Sequence, residues 1–453
     1  MIQEYDNIYF LGIGGIGMSA LARWFKFKGY NAGGYDRTPS ELTGKLEAEG
    51  ISVHYSDDIT KVPTDIARTL VIYTPAIPAE LKEFQYVNEK GYKVVKRSRA
   101  LGELTAGQTC LAVSGTHGKT TTSTLIAHIL TEEGGGCSAF LGGISRNYGT
   151  NLLMGETDTV VAEADEFDRS FLQLHPSIAV ITAMDADHLD IYGDLEHVQE
   201  AFRQFASQVS GTVIKKYGLP VDSNDTRARI LTYHLEDPRA DFHATDIRLD
   251  GSGHYTYDLV HPGGILKDIR VGALGMVNVE NSIAAAAVCL IYGTDPEGIR
   301  RATGTFEGVK RRLELHVSKP GLTYIDDYAH HPEELATAIA SIRGIFPGRK
   351  LTAIFQPHLY TRTRDLAPDF AKALSRVDKL ILLDIYPARE EPIEGVTSEI
   401  IFKDVTAPEK MMISKGELMD YLEKEEIDVL ATFGAGDIDR FIEPISRLLE
   451  ERD

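Results

Sequence analysis

Short runs of apolar residues recur along the chain, each followed by glycine or a polar turn and then by a helical stretch. Asn7–Gly12, Thr69–Thr74, Cys110–Gly115, Thr159–Glu163, Ser177–Thr182, Leu351–Gln356, Lys379–Ile385 and Asp428–Phe433 have this form. Such runs predict strands buried on both faces. The intervening stretches Met18–Gly29, Thr120–Glu133, Val198–Val209, Val279–Tyr292 and Pro332–Arg343 predict helices. Strands alternating with helices imply the α/β class with mostly parallel sheets. Two breaks stand out, at Gly102–Gln108 and at Gly304–Lys310, and they divide the chain into 1–106, 107–309 and 310–453. No internal repeat or low-complexity tract interrupts the pattern.

The length of 453 residues agrees with three domains of about 150 residues each. Lys and Arg total 47 and Asp and Glu total 67, a net charge of −20, which disfavours a nucleic-acid binder. Apolar residues at 43% and charged residues at 25% are ordinary for a globular chain. Cys110, Cys137 and Cys289 are too scattered for a disulfide framework or a zinc site, so a reducing compartment is expected. Met1–Phe10 carries Glu4 and Asp6 and no basic stretch, so it does not predict a signal peptide. The longest apolar run, Ile283–Tyr292, is about half of what a membrane span needs. The expectation is a cytoplasmic protein, a monomer or a homodimer, without a membrane span.

Two glycine loops carry the first chemistry. Ile8–Leu11 runs into Gly12-Ile13-Gly14-Gly15-Ile16-Gly17, and Asp36 follows 19 residues after Gly17. This is the dinucleotide fingerprint, in which glycines bring a helix N-terminus to a diphosphate and an acid bonds a ribose hydroxyl. It does not say which nucleotide, and an NAD-dependent dehydrogenase fits this loop alone. Leu111–Val113 runs into Ser114-Gly115-Thr116-His117-Gly118-Lys119-Thr120-Thr121, a phosphate loop in which Lys119 meets phosphate oxygens and Thr120 can hold Mg²⁺. Its first glycine lies three residues before Gly118, where the common spacing is five. Two separate phosphate loops are poorly explained by a simple dehydrogenase.

Acidic clusters follow two predicted strands: Glu163-Ala-Asp165-Glu166-Phe-Asp168 and Asp185-Ala-Asp187-His188-Leu-Asp190. Open α/β sheets place ligands at the carboxyl ends of their strands. Carboxylates and a neutral imidazole beside a phosphate loop suit Mg²⁺. Alone, either cluster would read as a solvated acidic loop, and Asp168 could pair with Arg169.

Taken together, these residues resemble the Mur ligases of bacterial peptidoglycan synthesis. The motifs are Gly12–Ser19, Gly115–Thr121, Glu163–Asp168, Asp187–Asp190, Asn278-Val-Glu-Asn281, Arg311-Arg312, Asp326-Asp327-Tyr-Ala-His330-His331-Pro332 and Gln356-Pro-His358-Leu-Tyr-Thr-Arg362. The resemblance implies an N-terminal Rossmann-like domain for a UDP-sugar, a central P-loop ATPase-like domain and a C-terminal Rossmann-like domain for an amino acid. It implies ATP and Mg²⁺ as cofactors, with UDP-N-acetylmuramate and L-alanine as small-molecule substrates. By position, Gly14, Gly15, Gly17, Met18, Ser19, Asp36, Thr74 and Ala76 would line the UDP-sugar site. Gly115, Thr116, His117, Gly118, Lys119, Thr120, Thr121, Asn278, Asn281, Arg312 and Asp327 would bind ATP. Thr120, Glu163 and His188 would hold metal, and His330, His358 and Arg362 would surround the muramate carboxylate or the alanine. Lys119, Glu163, His188 and Arg312 would be the catalytic group.

The chain departs from the family pattern at Val277, Ala183 and Leu359, where His, Asn and Arg are usual. It has no lysine within Val198–Ala206 to match the carbamylated lysine of relatives that add later amino acids, which agrees with alanine addition. A recycling ligase that joins a tripeptide to the same sugar nucleotide shares most of these motifs. Lys310–Arg312 could instead be a solvated basic run, Pro332 could mark a helix start, and Asp326 could simply cap that helix.

Overall fold

A computed structural model of the chain describes residues 2–185, 189–388 and 390–452. Among them are three sheets. The first runs in the order Ser52–His54, Asn31–Tyr35, Asn7–Leu11, Thr69–Tyr73, Lys93–Lys96, with every pairing parallel. Asn7–Leu11 is central because Tyr9, Phe10 and Leu11 are apolar towards both faces and nearly inaccessible. Helix Ile16–Phe27 buries Met18, Ala20, Leu21, Ala22 and Phe25 on this sheet.

The second sheet runs Gly264–Arg270, Tyr255–His261, Phe242–Leu249, Arg229–His234, Thr212–Lys216, Ile178–Ile181, Thr109–Ser114, Thr159–Ala164, Ser138–Phe140, Leu152–Leu153. Thr109–Ser114 lies between Ile178–Ile181 and Thr159–Ala164, parallel to both, with Ser114 opposite Ile181 and Ala164. The carboxyl ends of these three strands therefore finish side by side. Helices Lys119–Glu132 and Leu195–Ser207 follow two of them; Val198, Phe202 and Phe205 fill the apolar stripe of the second helix. The third sheet runs Glu314–Lys319, Leu322–Asp327, Val429–Phe433, Leu351–Phe355, Lys379–Leu382, Glu409–Met412, with only its first pair antiparallel.

The chain divides into two compact units. One comprises Met1–Asp246, Tyr257–Arg270 and Glu280–Glu307; the other comprises Ile247–Thr256, Val271–Val279 and Gly308–Asp453. Within the first, the segment 150–151 fastens the first two sheets together. The Asn151 amide donates to the Ile16 carbonyl and to Ser19 Oγ at 3.0 Å, and Arg23 donates to the Thr150 hydroxyl. Among the described residues no helix is long and apolar enough to cross a membrane.

Candidate active site

The turn after Thr109–Ser114 reaches a left-handed residue, Gly118 at φ +77°, before helix Lys119–Glu132 begins. A side chain there would be strained and would meet Asn281 Oδ1 at 2.7 Å. The neighbouring strand ends hold this loop. Thr182 hydrogen-bonds the Ser114 carbonyl at 3.1 Å and also the His117 carbonyl. Thr116 N–H donates to the Ala183 carbonyl, and Asp185 N–H donates to Thr116 Oγ1, both at 3.2 Å. The Asn281 side chain lies 3.4 Å from the Thr122 hydroxyl, and the Asn278 amide donates to the Leu274 carbonyl at 2.7 Å. Asn281 thus supports the loop from one side.

Lys119 Nζ donates to the Gly115 carbonyl and to both oxygens of Glu166, each at 2.8 Å. The Glu166 side chain is only 1% exposed. Burial alone would lower the Lys119 pKa, but the charges of Glu166, Asp165 and Glu163 outweigh it and hold the ammonium above the ordinary lysine value. Burial pushes Glu166 upward against the pull of Lys119. The lysine is a fixed, permanent cation at the loop.

Thr120 Oγ1 lies 3.2 Å from Glu163 Oε1, while Gly142 N–H donates to Glu163 Oε2 at 3.1 Å. A hydroxyl and a carboxylate held this close, beside a phosphate loop, are the hard oxygen donors that Mg²⁺ prefers, so these residues fit the ion. Gly142 leaves room for that carboxylate: a Cβ there would lie 2.5 Å from its Cδ and Oε1. His188, assigned to metal from the sequence, lies outside the described residues.

The first glycine loop closes on itself. Gly14 N–H donates to Asp36 Oδ2 at 2.7 Å, and Thr38 N–H to Oδ1 at 3.2 Å. The carboxylate expected to meet a ribose therefore already braces the loop. Ser19 is fully buried, donating to the Ile16 carbonyl and accepting from Asn151, and Met18 is buried too. Thr74 and Ala76 form a turn at the end of the neighbouring strand, with Ala76 N–H 3.5 Å from Thr74 Oγ1. Arg97 lies against Gly17 and pairs with Asp165 at 3.8 Å. The sequence did not single out Arg97, Gly142, Glu166 or Thr182. The one signal for Glu166 was its place in the acidic motif.

In the second unit the adjacent arginines part company. Arg311 is not solvated: its guanidinium donates to Asp326 at 2.9 Å and to the Gly434 carbonyl at 2.6 Å. Arg312 is exposed, with its guanidinium 5.8 Å from the Tyr328 ring centre. Arg311 and Leu313 both have left-handed backbone, φ 62° and 45°, which is strained for side chains of this size. Carboxylates hold that strain: Glu314 accepts Arg311 N–H at 2.7 Å, and Asp327 accepts Leu313 N–H and Ala329 N–H at 2.8 Å each. Asp326 does not cap helix Pro332–Ile345. Its oxygens are taken by Arg311 and Thr432, and Glu334 reaches back to the N-terminus of the helix instead.

Burial pushes the Asp327 carboxyl up to about 6, against Arg312 and its two N–H partners. A raised acid favours the folded state when protonated. This contribution is complete below the ordinary 3.8 and is lost as pH rises through about 6. Asp327→Asn carries no charge at any pH and removes it. Unfolding followed from pH 7 to pH 4 is expected to show wild type gaining up to about 3 kcal/mol on the variant. Parallel curves would contradict this environment for Asp327.

His330, His358 and Arg362 come together on the same unit. The rings of His330 and His358 are edge to face at 5.9 Å, and His358 stacks on Tyr386 at 5.8 Å. Arg362 Nη1 is buried with no hydrogen-bond partner among the described residues, an N–H that can take an acceptor. Leu359, before helix Tyr360–Leu374, has φ 71°, a third strained residue beside candidate site groups after Arg311 and Leu313.

Known proteins share the chain's sequence and fold along its length. Residues 7–109 match the Mur ligase family catalytic domain, 113–289 the Mur ligase middle domain, and 311–436 the Mur ligase glutamate ligase domain. The chain is 48% identical to the UDP-N-acetylmuramate–L-alanine ligase of Porphyromonas gingivalis, over 98% of this chain and 99% of that protein. It is 49% identical to the ligase of the same name from Phocaeicola vulgatus, over the full length of both. The crystal structure of UDP-N-acetylmuramate-alanine ligase from Thermotoga maritima superposes with a TM-score of 0.83 at 26% identity, covering 97% of this chain and 99% of that one. A murein peptide ligase from Psychrobacter arcticus shares the fold, with a TM-score of 0.71 at 21% identity and 99% of each chain covered. With three domain matches in order along it and relatives nearly half identical from end to end, the chain belongs to the Mur ligase family.

Proposed function

We propose that the chain joins L-alanine to the carboxylate of UDP-N-acetylmuramate at the expense of ATP, making a peptidoglycan precursor in the cytoplasm. One observation carries this reading: Lys119, Thr120 and Glu163 converge on a phosphate loop in a chain nearly half identical throughout to ligases of that name. In this assignment residues 1–106 take the UDP-sugar, 107–309 take ATP, and 310–453 take the amino acid.

A carboxylate is a poor acyl donor because its leaving group would be oxide. Transfer of the γ-phosphoryl group to the muramate carboxylate gives an acyl phosphate, whose leaving group is phosphate. Lys119 supplies a fixed positive charge where negative charge accumulates on the transferring oxygens. Thr182 and Asp185 keep the loop amides in place. Thr120 and Glu163 would hold Mg²⁺, which would neutralise phosphate charge. Arg362, whose Nη1 has no partner among the described residues, receives a substrate carboxylate among His330 and His358. No serine or cysteine nucleophile is required.

The test is phosphate release from ATP with UDP-N-acetylmuramate, the acceptor varied. Rapid release with L-alanine and little with L-alanyl-γ-D-glutamyl-diaminopimelate is expected. The reverse preference would assign the chain to peptide recycling.

A further inference from the structure

The ligase reading leaves a proton to be moved. Near neutral pH the amine of an amino acid is an ammonium, which has no lone pair to attack an acyl carbon. A group at the acceptor site has to take a proton first. Resting on that reading, we propose that His330 is this general base and that Glu334 positions it.

Hydrogen bonding fixes the tautomer. His330 Nδ1 lies 3.1 Å from the Tyr328 carbonyl, which can only accept. Nδ1 therefore carries the hydrogen, and the lone pair of the neutral ring sits on Nε2. Among the described residues none hydrogen-bonds Nε2. Glu334 Oε2 lies 3.3 Å from Nδ1 and accepts the backbone N–H of His330 at 3.0 Å and of His331 at 3.2 Å. That carboxylate is thus immobilised behind the ring, in the manner of an acid that orients a catalytic imidazole. The His330 side chain is 22% exposed, held yet reachable.

The surrounding charges set its protonation. Burial disfavours the imidazolium most; Glu334 and the Tyr328 carbonyl favour it, and Arg362 and Arg312 oppose it. The balance lies below the ordinary histidine value, so the ring is neutral near pH 7. Glu334 stays ionised: burial raises it, but His330, Arg312 and the two N–H bonds outweigh burial. The other rings facing His330 are Tyr328, with ring centres 5.2 Å apart, and His358. An α-amino acid carries its amine one carbon from its carboxylate. Arg362 lies close enough for its charge to act on His330, so a carboxylate received by Arg362 brings the amine into the neighbourhood of that ring.

The step balances. Nε2 takes one proton from the ammonium, and the freed nitrogen pair forms the C–N bond to the acyl carbon. The bond from that carbon to the phosphate oxygen breaks with its electron pair on phosphate, which leaves with the nitrogen's second proton. The third hydrogen remains on the amide, and Nε2 returns its proton to solvent.

Hydroxylamine separates base catalysis from everything else, because it is largely uncharged at neutral pH and traps acyl phosphates as hydroxamates. For His330→Asn, with UDP-N-acetylmuramate and ATP saturating, the ratio of alanine rate to hydroxamate rate is expected to fall about 100-fold or more. In wild type, kcat/KM for alanine should fall as pH drops through the His330 pKa. In Glu334→Gln, which lacks the charge favouring imidazolium, this acid limb should move to lower pH with a smaller loss of rate. An unchanged ratio in His330→Asn, whether both rates fall together or neither does, overturns the proposal. If wild type itself forms no hydroxamate with UDP-N-acetylmuramate and ATP, the ligase reading falls and takes the proposal with it.

Discussion

Lys119→Ala is expected to reduce phosphate release by about 1,000-fold or more while UDP-N-acetylmuramate binds with nearly wild-type affinity. Lys119 is the cation at the phosphate loop, fixed by the Gly115 carbonyl and by both oxygens of Glu166. Its removal deletes the charge and also leaves Glu166 buried without its counter-ion. Breaking such a pair from one side costs about 3–5 kcal/mol. The single variant should therefore also melt earlier, which could be mistaken for the cause of inactivity. The double variant Lys119→Ala/Glu166→Gln removes the stranded charge, and it should recover stability and remain inactive. Calorimetric titration with UDP-N-acetylmuramate checks the binding. Turnover near wild type in either variant would refute the phosphate-loop assignment.

Gly142→Ala should weaken metal use without weakening the fold. The position is exposed, so the methyl group disturbs no core. It would, however, lie on the Glu163 carboxylate, and Gly142 N–H is itself a partner of that group. Glu163 must turn away from Thr120. The Mg²⁺ concentration for half-maximal rate is expected to rise about 10- to 100-fold, as for loss of an orienting contact at a metal site. Glu163→Ala should show at least the same rise. Melting temperature should change little in Gly142→Ala. An unchanged Mg²⁺ titration in both variants would remove Glu163 from the metal site.

The strands before both glycine loops were legible because the signal is local: a buried run, glycines, then a helical period. The observed strands Asn7–Leu11 and Thr109–Ser114 lie within a residue of their predicted ends, and helices Ile16–Phe27 and Lys119–Glu132 follow them. Strands such as Tyr255–His261 and Gly264–Arg270 were not legible. They bury alternate residues or fewer and carry Asp, Lys and His between, so no continuous apolar run marks them. Adjacent arginines cannot be told apart by type. The left-handed backbone at 311 and 313 turns Arg311 onto Asp326 and leaves Arg312 outside. Glu166, Gly142 and Thr182 matter through partners 47, 21 and 65 residues away, and a single sequence does not pair them. Asp36 was found by its spacing, yet its contact with Gly14 gives it a structural task the spacing did not imply.

In the proposed reaction ATP activates the muramate carboxylate as an acyl phosphate for attack by alanine. Labelling both oxygens of that carboxylate with oxygen-18, and analysing the phosphate released during ligation to L-alanine by mass spectrometry, follows this step. One labelled oxygen in each phosphate is expected, because the carboxylate oxygen that accepts the γ-phosphoryl group leaves with it. Unlabelled phosphate accompanying the same amide product would contradict it.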